Sequence, residues 1–251
     1  MTHSRMHTGL SIMALAATLV VSTWALQRVG VVDMTTARAA YAEYSASSRI
    51  DEHFALHAVR KLQIGTGPND LEGWLNTDIE PRAGQVFLDA SKPFPMPDSS
   101  VHYIYAEQVI EHIPFAGGMV MLRESHRVLA PGGVLRVATP NLERLLALFD
   151  HEKTIDEQRF MDAQLKMVGL TVHEPERPLF ILNTYFHDWG HRFLYDQQTL
   201  KSAAETAGFR DVSFKRHGES DHAALKNVER HIDVIGRDID EYVTMIVEAK
   251  K

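Results

Sequence analysis

The sequence predicts an α/β fold, doubly wound about a mostly parallel sheet, and three observations lead to it. Short apolar or alternating runs recur at 61–64, 74–79, 86–88, 101–106 and 134–138, each bounded by Gly, Pro, Asp or Asn. A helical stretch separates the last two. The first run ends in the glycine turn Gly65, Thr66, Gly67, and the next two end in the acids Asp78 and Asp89. Strands that alternate with helices build a parallel sheet covered on both faces. Ligands then sit at the carboxyl ends of the strands.

Taken in order, the alanine-rich stretch 35–47 reads as a helix ahead of the first strand. Residues 118–129 read as another: Val120, Met121, Val128 and Leu129 fall near one face, and Pro131, Gly132 and Gly133 read as its stop. Beyond Pro140, Asn141 is placed to cap a helix running to Phe149, and a charged helix is expected over 154–168. Pro175 and Pro178 break the chain into a loop before 180–186. Leu200, Ala203, Ala204 and Ala207 share a helical face that Gly208 ends. Runs at 209–214 and 242–249 bring the strands to seven, the last two read as an antiparallel pair that closes the sheet.

The glycine turn lets a ligand lie against bare backbone, because Gly-x-Gly removes the side chains from a strand exit. An ionised carboxylate is an acceptor only, so Asp78 and Asp89 suit ribose hydroxyls or an adenine amino group. The ordered set fits a nucleoside-bearing cofactor without a pyrophosphate. A dinucleotide fingerprint needs a third glycine, where Asp70 stands, and a helix between turn and acid, for which 68–73 is too short. A P-loop needs Gly-Lys-Ser/Thr, which does not occur.

The segments 61–67, 73–78, 94–98, 107–112 and 127–133 together resemble class I S-adenosylmethionine-dependent methyltransferases, nearest to a bacterial branch (methyltransferase type 11-like) with an abbreviated first helix. The resemblance runs from about Lys61 to Asn141 and more loosely through 189–196. It implies a Rossmann-like, seven-stranded methyltransferase fold with a helical lid insertion over 141–195 that covers the substrate. It also implies S-adenosyl-L-methionine as cofactor. Gly65, Thr66 and Gly67 would lie beside its methionine part, Asp78 at the ribose, Asp89 with the backbone of Ala90 at the adenine, and Glu107 where the fourth strand opens onto the cofactor. One departure is Gln63, where many members carry an acid.

Methyl transfer from a sulfonium asks the protein chiefly to orient the acceptor and exclude water. A base is needed when the nucleophile is a hydroxyl. His112, His187 and His191 are the candidates, since an unperturbed histidine titrates near neutral pH. His187 and His191 are four apart, so a helix would put them on one face; Trp189 and Gly190 between them speak against it, and no metal is expected. The polar stretch 219–222 with 229–231 reads as a solvated loop, although it also suits a sugar or acid pocket. Trp74 reads as packing, with a cation over its indole as the alternative. The expected activity is methyl transfer to an O or N atom of a small molecule or saccharide. A non-catalytic domain tethered to a membrane is the alternative reading, and a nicotinamide dehydrogenase is disfavoured by the short glycine loop.

The 251 residues, 45% hydrophobic and 24% charged, suffice for one sizeable core. A net charge of −7 without a Lys/Arg cluster argues against nucleic acid as partner. The absence of cysteine excludes disulfides, a thiolate nucleophile and zinc–thiolate sites. Residues 9–26 are largely apolar and uncharged, which leaves three readings of 1–33 open: a membrane anchor, a cleaved signal, or a start that belongs at Met34. The methyltransferase domain is then 34–251, working in the cytoplasm, free or tethered to the inner face of the membrane.

Overall fold

The computed structural model describes residues 34–150 and 152–251. The expected anchor at 9–26 lies outside these residues, and no described helix is long and apolar enough to cross a membrane. Helix α1 (Met34–Leu56) outruns the expected 35–47, because no glycine or proline interrupts 48–56. The chain divides into two compact units inside this helix, and the second, Arg49–Lys251, carries the sheet.

Seven strands form one sheet in the order β3-β2-β1-β4-β5-β7-β6. They are β1 (Lys61–Ile64), β2 (Leu75–Asp78), β3 (Val86–Phe87), β4 (Val101–Glu107), β5 (Leu129–Pro140), β6 (Arg210–Lys215) and β7 (Thr244–Lys250). The first five run parallel, while β7 is antiparallel to both β5 and β6, so the closing pair is as expected. Central strands are buried on both faces: Ile104, Tyr105 and Ala106 of β4 have no exposed surface. The winding direction reverses between β1 and β4, which puts the topological switch point at their carboxyl ends.

Two further boundaries differ from expectation in ways that shape the sheet. Helix α2 (Phe115–Val128) already ends at Val128, and Pro131, Gly132 and Gly133 lie inside β5 as an irregularity that shifts its register on β4 between Val101 and Tyr103. Gly132 adopts φ +78°, so a kink in the strand, not a helix stop, is what these residues supply. Tyr242 and Val243, read as strand, close a helix; β7 begins at Thr244.

Residues 141–195 form three helices with their own core. Asn141 caps α3 (Leu142–Ala147) by accepting from the Glu143 amide at 2.9 Å. Thr154 and Glu157 make a reciprocal capping box on α4 (Ile155–Met167). Pro178, expected in a loop, sits in the first turn of α5 (Arg177–His187), where a missing N–H costs nothing. Leu145, Phe160, Met161, Leu165, Ile181 and Tyr185 pack together, joined by Ile239 and Val243. The last two belong to α8 (Arg237–Val243), so the layer recruits a C-terminal helix that follows the four-residue α7 (Ile232–Ile235). Helix α6 (Gln197–Thr206) returns the chain to β6, capped by Asp196 and ended at Gly208, φ +110°.

Trp74 packs with Leu71, Tyr105 and Val134, and the Lys61 ammonium lies 5.2 Å from its ring centroid, so packing and the cation contact coexist. The largest fully buried side chain is a charge, Arg136 in mid-β5. Its Nε donates to Glu229 Oε1 at 2.6 Å and its Nη1 to Glu248 Oε1 at 2.6 Å, while Nη1 also donates to the Glu219 carbonyl at 2.8 Å. Glu248 is the register partner of Arg136 across β5 and β7. Glu229, expected on a solvated loop, is buried because this guanidinium draws it in. Breaking a buried ion pair leaves an uncompensated charge and costs about 3–5 kcal/mol. Glu248→Ala is therefore expected to lower unfolding free energy by about that much in urea titrations, whereas Lys201→Ala, which removes an exposed pair with Glu205 at 3.9 Å, should change it by less than about 1 kcal/mol.

Candidate active site

The chain leaves β1 into the glycine turn, where Gly65 and Gly67 have φ of +65° and +54°. A Cβ at Gly65 would stand 2.3 Å from Val109 Cγ2, at the end of β4; at Gly67 it would meet nothing within 4 Å. The first glycine thus lets the two central strand ends close on each other, and the second faces open space. The turn is held from behind: the Thr66 amide donates to the Thr77 carbonyl at 3.0 Å, the Gly67 amide to Asp78 Oδ2 at 2.8 Å, and Gln85 Nε2 to the Gly67 carbonyl at 2.8 Å. Asp78 Oδ1 takes the Glu80 amide at 2.9 Å. Gln63 is buried and bonds the following loop, accepting from the Leu71 amide at 3.1 Å and donating to the Asn69 carbonyl at 3.0 Å.

A cleft of about 380 Å³ opens here, lined by Gly65, Gly67, Asp78, Asp89, Ala90 and Ser91 on one side and by Gln108, Val109 and His112 on the other. Asp89 accepts from the Ser91 amide at 3.0 Å and from the Ser91 hydroxyl at 2.6 Å, with Lys92 at 3.4 Å. Burial pushes its carboxyl up, but these donors outweigh it and hold the pKa below the usual value. Thr66 is buried and outside the lining. Gln108, Val109 and Ser91 were not singled out in the sequence; each stands one or two residues from one that was.

A second cavity of about 390 Å³ adjoins the cleft and shares Gln108 and His112 with it. Its walls are apolar at Pro140, Met167, Val168, Val234, Ile235 and Val243, aromatic at Tyr185 and Trp189, and carry three imidazoles, His112, His191 and His231. His112 and His191 face each other edge-on, ring centroids 4.9 Å apart. His187 does not join them. It is exposed at the end of α5, and the chain then turns through Trp189, φ +56°, and Gly190, φ +78°, which swings His191 toward His112. The Arg192 and Phe193 amides donate to the Glu111 carbonyl at 2.7 and 3.1 Å and fix that approach. Burial lowers the pKa of both His112 and His191.

A family profile described as a methyltransferase domain matches residues 33–213. The chain belongs to this methyltransferase family. With its motifs and sheet order it is a class I S-adenosylmethionine-dependent methyltransferase. Among solved structures it is similar to S-adenosylmethionine-dependent methyltransferases from Archaeoglobus fulgidus (16% identity over 84% of this chain and 94% of that one, TM-score 0.46) and from Mesorhizobium loti (15% identity, 84% and 98%, TM-score 0.46). No curated protein matches it.

In the methyltransferase, Glu107 does not line the cleft beside the glycine turn. Its carboxylate accepts the amides of Arg230 and His231 at 3.0–3.1 Å, and Gln108, φ +53°, takes the place at the cleft wall. Burial raises the Glu107 carboxyl, opposed by those two amides. Holding 230–231 places His231 at the second cavity with Nδ1 3.1 Å from Oδ1 of the buried Asp240, whose Oδ2 lies 2.8 Å from His217 Nε2. Burial pushes Asp240 up, but the two imidazoles outweigh it and bring its pKa to about 2. His217 is pulled down by burial and further up by Asp240, for a net rise. A larger cavity, about 460 Å³, is polar, lined by Arg144, Lys215, Arg216 and Glu219 among others, and shares no residue with the cleft.

A raised histidine contributes stability that is full below its unfolded value near 6.5 and is lost as pH rises through the folded value. The difference in thermal midpoint between the wild-type methyltransferase and His217→Gln should therefore be largest near pH 6 and shrink at alkaline pH. Asp240 acts in the other window, its contribution fading as pH falls from 3.8 toward about 2.

Proposed function

We propose that the protein binds S-adenosylmethionine in the cleft across β1 and β4 and transfers its methyl group to an oxygen or nitrogen of a small molecule or saccharide held in the adjoining cavity. The observation that carries this reading is the junction: two cavities, one walled by bare glycine and carboxylates and one by apolar groups and imidazoles, meet at Gln108 and His112. The residues fit the cofactor. Open space in front of Gly67 admits its amino-acid tail, and the carboxylates of Asp78 and Asp89, each retaining free lone pairs, suit ribose hydroxyls and the adenine amino group beside the Ala90 backbone. Ser91, beside Asp89, adds a hydroxyl to that end of the cleft.

S-adenosylmethionine, held by Gly67, Asp78 and Asp89, would supply an electrophilic methyl group on positively charged sulfur. The chain contributes positioning and dryness, and for a hydroxyl acceptor a place for the proton. Trp189 and Tyr185 offer flat faces to a ring, and Val243 and Pro140 exclude water. His231, steadied at Nδ1 by the buried Asp240, is the base, with Nε2 left for the acceptor. His112 at the junction and His191 beside it contact the acceptor. A cytoplasmic domain, with 9–26 as tether to the membrane's inner face, accords with where the cofactor is made.

Calorimetry on the full chain should show micromolar-range binding of S-adenosylmethionine and its demethylated product and none of NAD; the reverse would sink the proposal. Asp78→Ala should weaken that binding by about 1.5–3 kcal/mol, the range for hydrogen bonds to charged groups. His231→Ala should slow labelled-methyl transfer to a hydroxyl acceptor by about 10²–10⁴-fold with cofactor affinity unchanged. Acceptors are found by offering hydroxyl, amine and saccharide panels; transfer to amines alone, indifferent to His231, would remove the base from the mechanism.

A further inference from the structure

One group of side chains at the second cavity has an arrangement that contact with the acceptor does not account for. An oxygen of Glu111 and a ring nitrogen each of His112 and His191 lie within 4.8 Å of one another. Glu111 is fully buried; Oε2 accepts from Thr139 Oγ1 at 2.9 Å, and Oε1 has no partner among the described residues. No hydrogen bond joins it to either imidazole. A buried carboxylate oxygen without a donor calls for one, and a cation is the group that also suits two lone-pair nitrogens.

The imidazoles are prepared for that. His191 Nδ1 lies 2.6 Å from the Tyr185 carbonyl, so it carries the proton there and leaves Nε2 with its lone pair. The His112 ring rests against the backbone of Trp189 and Gly190. The two segments that present the ligands are also tied through backbone: Arg192 and Phe193 donate to the Glu111 carbonyl, and the Ile110–His112 turn is closed by the His112 amide on the Val109 carbonyl at 3.0 Å. Bonds of about 2.0–2.2 Å in a tetrahedral zinc site put ligand atoms roughly 3.3–3.6 Å apart, within reach of small side-chain rotations from the spacing present.

We propose that Glu111, His112 and His191 bind a divalent first-row transition ion of the zinc class. Two nitrogens and one carboxylate favour such an ion over magnesium or calcium, which take oxygen donors. Three protein ligands leave a fourth position open, and both histidines line the second cavity, so that position faces it. There the ion would hold an acceptor oxygen and ease loss of its proton, a role that rests on the reading of that cavity as the acceptor's; binding of the ion does not.

The test is a titration of chelator-stripped full chain with Zn²⁺ against a chromophoric competitor, and with Co²⁺ followed by visible absorption. One equivalent should bind, with the strong visible band of four-coordinate cobalt. His191→Ala and Glu111→Gln should each weaken binding by at least about tenfold, with circular dichroism unchanged. His187→Ala, at an exposed histidine outside the cluster, should leave it as in wild type. Equal affinity in wild type and both cluster variants, a cobalt spectrum no different from the aqueous ion, or a loss in His187→Ala as large as in His191→Ala would overturn the proposal. Glu111→Gln keeps the side-chain shape, so the test stands if a histidine variant fails to fold. S-adenosylmethionine binding measured on the same stripped protein reports on the cofactor cleft separately.

Discussion

A guanidinium with no exposed surface cannot stay charged in the middle of a sheet unless carboxylates come to it, and Arg136 draws in two. Glu248 comes from the neighbouring antiparallel strand and fixes the register that closes the sheet. Glu229 comes from a loop with little regular structure, and its capture has reach: the next two amides, of Arg230 and His231, then fall on Glu107 at the end of β4. Through those bonds His231 meets Asp240 and the second cavity gains one of its imidazoles. A charge pair deep in the sheet thereby sets the position of a group at the reactive end.

The same division of labour recurs at the first strand. Side chains that could have served a ligand are spent on keeping the turn in shape: Gln63 bonds the loop behind it, Gln85 the Gly67 carbonyl, and Asp78 the Gly67 amide. Asp78 therefore has two tasks, bracing the turn and presenting lone pairs to the cleft. The helical layer over 141–195 and 232–243 keeps its own core, so Met167, Tyr185, Ile235 and Val243 of the second cavity's wall rest on that layer, while Pro140 and His231 are held by the sheet.

Much of this was legible in the residues. The strands' order along the chain, the glycine turn and the two acids are local features; all seven strands form close to their runs, and Gly65, Gly67, Asp78 and Asp89 line one cleft. What failed was non-local or conformational. Glu107 read as a cleft residue because nothing nearby in sequence shows that amides 123 and 124 positions later would claim it. For His187 and His191 the expected interruption at Trp189 and Gly190 is there, but the spacing gave no sign that the left-handed backbone would turn His191 to His112. Glu229 read as solvated because a lone arginine between valines and leucine in β5 gives no hint of where its counter-charges come from. The short helix ending at Val243 escaped because Tyr242 and Val243 favour strands on propensity.

The contact between position 65 and Val109 carries a consequence for what this chain tolerates at its central seam. Because the Val109 methyl fills the volume a side chain would take, the glycine serves as a socket as well as a bare platform. The two residues follow β1 and β4, on either side of the switch point, so a side chain at position 65 collides with its counterpart across that point. A variant that adds a side chain at 65 must shorten or displace Val109 as well as bear the left-handed backbone, so the seam along which the fold's two halves join is guarded by a single methyl group.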